Sequence, residues 1–343
     1  MTVLVAVHNG ADYLVEAIQS ILDQTYQDFE LLVIEDGSTD HTLERLRSFA
    51  DERLRVIQNE QNLGLIRSLN RGLEASNGAL IARMDADDIC LPSRLQKQVS
   101  FLQKNPRVDV VGSNVERFQG DRKRSNTFLP NCPDSVDWRM RFSCCLYHPT
   151  IVARREFFER AGGYDPSFPH AEDWALWLSQ LDTSRYAVLP DVLLRYRVHG
   201  NSVGSKSAAI QRVSTIKALQ MSASRLLGYD LCIEEAATLL DTHEFESWES
   251  AVRSIDLVQE MEQAFMAGRE MAPEALRFVQ DDTTLRLAHR AVKATMLAPS
   301  KLHPWKALAR RRSLHVPGFW SFAGKHAWRA GVEAAGRVAR HGK

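Results

Sequence analysis

The chain is 343 residues long, 44% hydrophobic and 25% charged, and its 43 basic and 43 acidic side chains cancel. That is the composition of an ordinary soluble globular protein, with a length that suits one large domain plus an appendage, or two domains. No run of about 18 apolar residues occurs, so no membrane-spanning helix is expected.

In chain order, the first 115 residues alternate strands with helices. Val3-Leu4-Val5-Ala6-Val7 is a continuous apolar run ended by His8-Asn9-Gly10, the pattern of a strand buried on both faces. The helix after it carries Tyr13, Ala17, Ile18, Ile21 and Leu22 on one face. Phe29 to Ile34 predicts the second strand, stopped at Glu35-Asp36-Gly37-Ser38, and Asp40 is placed to cap the next helix. Leu54 to Ile57 is a third strand, Asn62 to Ala75 a helix, and Ala79 to Met84 a fourth strand that runs into Asp85. Pro92 opens a helix to about Asn105, and Val108 to Val111 is a fifth strand. This order predicts an α/β fold with a mostly parallel, doubly wound, Rossmann-like sheet, where ligands bind at the carboxyl ends of strands.

Residues 115 to 145 read as polar and irregular. Order resumes at His148-Pro149-Thr150-Ile151-Val152, at Gly162-Gly163-Tyr164-Asp165, in a helix from Glu172 to Leu181 and in a strand from Val192 to Val198. After Ser205 the pattern is helical, with breaks at Pro273, Pro304 and Pro317. No charged leader precedes the first strand, so no signal peptide is expected. The five cysteines form no Cys-x-x-Cys pair, which argues for a reducing cytoplasm over a disulfide framework or a zinc site.

Asp85-Ala86-Asp87-Asp88 puts three carboxylates at one strand end. Mn²⁺ or Mg²⁺ takes such hard oxygen ligands and shares them with substrate phosphates. A polar turn leading into the helix after Pro92 fits the same residues equally well. His8-Asn9 and Glu35-Asp36 lie at two further strand ends of the same sheet.

The stretch from Ala82 to Gln98 resembles the Asp-x-Asp region of family 2 glycosyltransferases of the GT-A fold. Val7-His8-Asn9, Glu35-Asp36-Gly37-Ser38-Thr39-Asp40, Asn62-Leu63-Gly64 with Asn70-Arg71-Gly72, and Glu172-Asp173-Trp174 resemble that family's other motifs, in its order. The resemblance spans residues 1 to about 204. It implies a catalytic domain with a nucleotide-binding half (1–115) and an acceptor-binding half (116–204), followed by a helical region (205–343).

It also implies roles. Asp36 would hydrogen-bond the nucleotide base, flanked by Ala6 and His8. Asp85 and Ala86 would meet the ribose or the metal side of the donor, and Asp87 with Asp85 would hold the metal. Asp173 would be the general base that deprotonates an acceptor hydroxyl for in-line attack with inversion. Glu35 stands where the family has Asp, His8 where it has Tyr, and Leu69 where it often has Arg, so Arg67 is the candidate for the phosphate contact. His199, in the segment Arg195 to Ser202, is either a third metal ligand or a surface residue at a strand end. His148, Asp165, Glu172 and Trp174 are the acceptor-side candidates, with structural roles equally open for His148 and Asp165. The implied donor is a nucleotide-sugar, commonly a UDP-sugar, and the implied acceptor a glycan or lipid-linked glycan of a bacterial surface polysaccharide.

The tail from Lys301 carries ten Lys or Arg against Glu333 alone, interleaved with Trp305, Phe319, Trp320, Phe322 and Trp328. It suits an amphipathic helix on an anionic membrane, at the inner face of the cell membrane, or a helix packed on the rest of the protein. No recognised module accompanies the basic stretch, so nucleic-acid binding is not expected. Two other readings compete: a haloacid dehalogenase-like phosphatase, whose Asp-x-Asp normally ends the first strand, and a non-catalytic nucleotide-binding module, which has no use for Asp173. A Rossmann dehydrogenase is disfavoured because no Gly-x-Gly-x-x-Gly follows the first strand.

Overall fold

A computed structural model describes residues 1–120, 122–199, 207–240 and 242–298. The tail from Lys301 and the expected boundary at residue 204 lie outside them. The chain divides into two compact units, Met1–Met140 with Cys144–Ala218, and Arg141–Ser143 with the residues from Leu219 onward.

In the first unit, β1 (Thr2–Val7) pairs in parallel with β2 (Glu30–Glu35) and β4 (Leu80–Asp85), and β2 with β3 (Leu54–Gln58). Helices α1 (Leu14–Leu22), α2 (Thr42–Arg47) and α3 (Leu65–Ala75) connect them. Strands β1 and β2 are covered on both faces, which is why they read as unbroken apolar runs, whereas β3 at the edge is largely exposed. Val3, Val5, Leu31 and Val33 pack with Leu14, Ala17, Ile18 and Ile21 of α1. On the opposite face α3 lies so close that a Cβ on Gly72 would collide with Leu4. Asp40 accepts from the Thr42 amide at 3.0 Å, at the start of α2.

The other half of the sheet is mixed. After β4 come β5 (Ile89–Cys90), α4 (Arg94–Lys104), β6 (Val110–Gln119) and β7 (Arg122–Asn126). Helix α5 (Pro133–Met140), a 3-10 turn (His148–Thr150), β8 (Val152–Arg154), α6 (Arg155–Ala161), α7 (Glu172–Ser179) and β9 (Tyr186–Arg197) complete it. The strand order is β3-β2-β1-β4-β8-β6-β9-β5, with β7 beside β6. Strands β6 and β9 pair in parallel, whereas β8 is antiparallel to both β4 and β6.

Two sequence expectations are corrected here. Residues 115 to 145 are not irregular: β6 continues to Gln119, and β7 and α5 follow. The polar residues that disguised β6 are buried and bonded. Asn114 accepts from Thr127 Oγ1 and the Leu129 amide, each at 3.0 Å, and donates to the Pro190 carbonyl. The last strand starts at Tyr186, not Val192, and passes Pro190 with a shift of register against β6.

In the second unit α10 (Trp248–Met266) and α11 (Pro273–Leu297) are the long helices, after α8 (Ala208–Leu227), which runs in from the first unit, and α9 (Ile233–Ala237). Arg290 is 1% exposed and donates to Ser254 Oγ and to the Thr238 and Leu239 carbonyls. Arg286 pairs with Asp282 at 2.7 Å. No described helix is long and apolar enough to cross a membrane.

Gly37 follows β2 at φ +62°, and a Cβ there would strike the backbone of Gln61 and Asn62. Gly37→Ala is therefore expected to cost about 1–3 kcal/mol, read as a lower urea midpoint at unchanged slope.

Candidate active site

The ends of β1 and β2 are tied together around Asp36, which is 3% exposed. Its Oδ1 accepts from Asn59 Nδ2 at 2.6 Å and from the Leu63 amide at 2.9 Å, and its Oδ2 from the Gly64 amide at 2.9 Å. Burial raises its pKa, but these hydrogen bonds outweigh burial and hold the carboxyl below its usual range. The loop leading into α3 is thus closed onto a buried anion. His8 is exposed, and its Nδ1 lies 2.9 Å from the Asp36 carbonyl, which can only accept, so that nitrogen carries the proton. Its Nε2 faces the Asn9 amide nitrogen at 3.1 Å. Ala6 stands opposite Asp85 in the β1–β4 register.

At the end of β4, ligand oxygens of Asp85, Asp87 and Asp88 lie within 4.8 Å of one another. Three groups meet them. Arg83 Nη2 pairs with Asp85 Oδ1 at 2.5 Å. His199 Nε2 lies 2.8 Å from Asp87 Oδ2. Arg197 donates from its amide to Asp88 Oδ1 at 2.8 Å and from Nε to the Asp87 carbonyl at 2.7 Å. The Arg197 guanidinium is sandwiched by Tyr13 and Phe118, whose ring centroids lie 4.4 and 4.5 Å from it, and Tyr13 in turn lies 5.4 Å from the His199 ring. Asp88 is 1% exposed and its Oδ2 has no hydrogen-bond partner. Burial, then repulsion from Asp85, raises the pKa of Asp87 and raises that of Asp88 further. Ala86 sits between them, partly buried against the apolar core.

A third group of residues comes from α7 and its surroundings. Glu172 and Asp173 occupy its first turn. Burial first, then the neighbouring Glu172, pushes the Asp173 carboxyl up to about 7, and burial raises Glu172 too. Asp85 lies within electrostatic reach of both. His148 is 7% exposed, and its Nε2 lies 2.8 Å from the Tyr164 hydroxyl. Burial, then Arg83, holds its pKa well below the usual value, so the ring is neutral. Asn70 of α3 brackets Tyr164, accepting from its amide and donating to its carbonyl, both at 2.8 Å.

The remaining candidates lie as follows. Trp174 donates from Nε1 to the Met140 carbonyl at 2.9 Å. Asp165 is exposed and accepts from the Ser167 amide, capping its own turn. Arg67 is exposed on α3 with no hydrogen bond or ion pair among the described residues. Sequence reasoning gave no role to Arg83 or Arg197. Arg83 is signalled by its place inside an otherwise apolar strand, Arg197 by the Arg-Tyr-Arg alternation that brings it to the same side as Arg195.

The family model described as glycosyl transferase family 2 matches residues 2–162. An uncharacterized glycosyltransferase of Haemophilus influenzae is 31% identical over 270 residues, covering 74% of this chain and 84% of that protein. The UDP-Glc:alpha-D-GlcNAc-diphosphoundecaprenol beta-1,3-glucosyltransferase WfgD of Escherichia coli is 28% identical, covering 60% of this chain and 79% of its own length. Among solved structures, S. aureus TarS 1–349 in complex with UDP-GlcNAc superposes with a TM-score of 0.58 at 19% identity, over 87% of this chain and 90% of that one. That likeness shows the GT-A fold.

Asp36→Asn removes charge from a carboxylate with several donors and is expected to cost about 1–3 kcal/mol at pH 7. A depressed native pKa stabilises above the unfolded value and loses that contribution as pH falls through the folded one. The gap in urea midpoint between wild type and variant should therefore narrow below about pH 4.

Proposed function

The chain belongs to glycosyltransferase family 2, and on that premise we propose that it moves a sugar from a UDP-sugar to a hydroxyl of a glycan or lipid-linked acceptor, inverting the anomeric carbon. The observation that carries this reading is Asp173, a carboxyl held at about 7 within electrostatic reach of the Asp85 end of the acid cluster. A base poised near neutrality suits removal of a proton from an alcohol that becomes nucleophilic as it loses it.

Each residue has a task in this reading. Asp36 holds the Leu63–Gly64 backbone beside the nucleotide base, with His8 and Ala6 flanking it. Arg67, exposed on α3, is the candidate for the diphosphate. Asp173 accepts the acceptor's proton, and His148, Asp165, Glu172 and Trp174 shape the acceptor side. The Asp85–Asp88 cluster fits a hard divalent cation. Its oxygens converge within 4.8 Å, and burial together with repulsion from Asp85 raises the pKa of Asp87 and Asp88, so a bound cation would favour their anions. Asp87 and Asp85 would hold Mn²⁺ or Mg²⁺, with His199 beside them and Ala86 lining the turn. When bound, the ion neutralises charge on a departing diphosphate.

UDP is favoured because the name of WfgD specifies UDP-Glc and TarS is seen with UDP-GlcNAc. The acceptor in the name of WfgD is a sugar on diphosphoundecaprenol, which supports a lipid-linked acceptor and surface polysaccharide synthesis. For such an acceptor, the basic aromatic tail from Lys301 has the composition to meet an anionic bilayer at the cytoplasmic face.

The test is release of UDP from a panel of UDP-sugars. Slow release that needs Mn²⁺ and stops in EDTA is expected, and a chain that binds UDP but never turns over is a binding module instead. Asp173→Asn should lower kcat by about 10²–10⁴-fold with little change in donor KM. Only the carboxylate accepts a proton, so kcat/KM should fall about tenfold per unit as pH drops below about 7. Transfer that survives in Asp173→Asn would overturn the assignment.

A further inference from the structure

Strand β4 carries one charged residue in its interior, Arg83. Alternation sends Ala82 and Met84 into the apolar core and turns Arg83 to the opposite face with Asp85. Arg83 is 3% exposed, and burial of a cation is costly unless it is paired.

Its neighbour Arg94, on α4, shows what a structural buried arginine does here. Arg94 is 0% exposed, and all of its guanidinium nitrogens donate: Nε to Gln98, Nη1 to Cys90 Sγ, and Nη2 to the carbonyls of Arg83 and Ile151. Arg83 is different. Its Nη2 pairs with Asp85 at 2.5 Å, while Nε and Nη1 are buried with no hydrogen-bond partner among the described residues. Its backbone is clamped, the amide on the Ile151 carbonyl at 3.1 Å and the carbonyl under Arg94 at 2.8 Å. The guanidinium is thus rigidly mounted, linked to one acid and left with spare donors.

Its charge reaches α7 as well as the end of β4. It acts on Asp88, Glu172 and Asp173, each time favouring the anion. The groups around Asp173 are Glu172 on its own helix, Arg83 and Asp85 from β4, Tyr164 from the turn before α7, and Cys144. Arg83 is the cation among them.

We propose that Arg83 is a positioning residue: a permanently charged, solvent-excluded counter-ion that fixes Asp85 and lies within electrostatic reach of Glu172 and Asp173. This rests on the reading of Asp173 as base and Asp85 as a ligand of the donor side. Arg83 sets the orientation of one carboxylate and the ionisation of another.

The experiment uses the full chain with Arg83→Met and Arg83→Lys, each checked for native circular dichroism and for UDP affinity by calorimetry. Arg83→Met should keep donor KM within about threefold, lower kcat at pH 7 at least about tenfold, and move the acidic limb of kcat/KM up by about one pH unit. Arg83→Lys, which keeps the charge and loses the fork, should leave the limb near its wild-type position while kcat falls. The inference is overturned if folded Arg83→Met keeps the wild-type limb and kcat, or if Arg83→Lys moves the limb as far as Arg83→Met. If Arg83→Met does not fold, Arg83→Lys decides: a lower kcat at wild-type KM supports the inference, and wild-type kcat overturns it. A wild-type chain that turns over no UDP-sugar overturns the functional reading itself, whereas wild-type turnover with indifferent Arg83 variants overturns this inference alone.

Discussion

Like charges resist being gathered, and this site gathers Asp85, Asp87, Asp88, Glu172 and Asp173 around one strand end. Burial makes the resistance worse, and the pKa values of Asp87, Asp88, Glu172 and Asp173 are all raised. The arrangement holds because cations are built in beside the acids. Arg83 enters from β4 itself, and Arg197 and His199 arrive from the end of β9. That requirement explains much of the second half of the sheet. Strand β9 must return beside β5 to bring Arg197 to Asp88, and its pairing with both β5 and β6 secures it there.

The two halves of the sheet answer different physical demands. The parallel half, β3-β2-β1-β4, has β1 and β2 covered on both faces and holds its loops by buried hydrogen bonds to Asp36. It is a rigid mount for polar groups at strand ends. The mixed half carries α7 and the aromatic group of His148, Tyr164 and Trp177, whose rings lie 5.4 to 6.0 Å from the His148 ring. Asn70 joins the halves by bonding Tyr164 on both its amide and its carbonyl.

How much of this could be read from the sequence follows from how burial is achieved. Strands β1, β2 and β4 were legible because they are buried mainly by apolar side chains, and Asp85 to Asp88 became legible as a site only beside the other motifs of the resemblance. The proximity of Asp87 and His199 was legible only through the resemblance. The continuation of β6 past Val111 was not, because Ser113 and Asn114 are buried through hydrogen bonds to groups remote in sequence, and no local pattern encodes that. Arg83 escaped notice for a related reason. A lone charge in a strand reads as an edge or a fault until the acids around it are assembled. Nothing local reveals that Asp36 is already bonded to Asn59, Leu63 and Gly64, since those partners are set by the loop's closure.

The bonds that close the site span long stretches of chain. Asn70 meets Tyr164 across 94 residues, Asp88 meets Arg197 across 109, and Asp87 meets His199 across 112. Loop closure on that scale is entropically expensive and slow. Arg83 is close to the acid cluster in sequence, whereas Arg197 and His199 must be brought to it from far along the chain. Without β9 in place, Asp87 and Asp88 would end β4 with neither Arg197 nor His199 beside them. The assembled acid cluster is in this sense a report that β4 and β9, far apart in sequence, have come together.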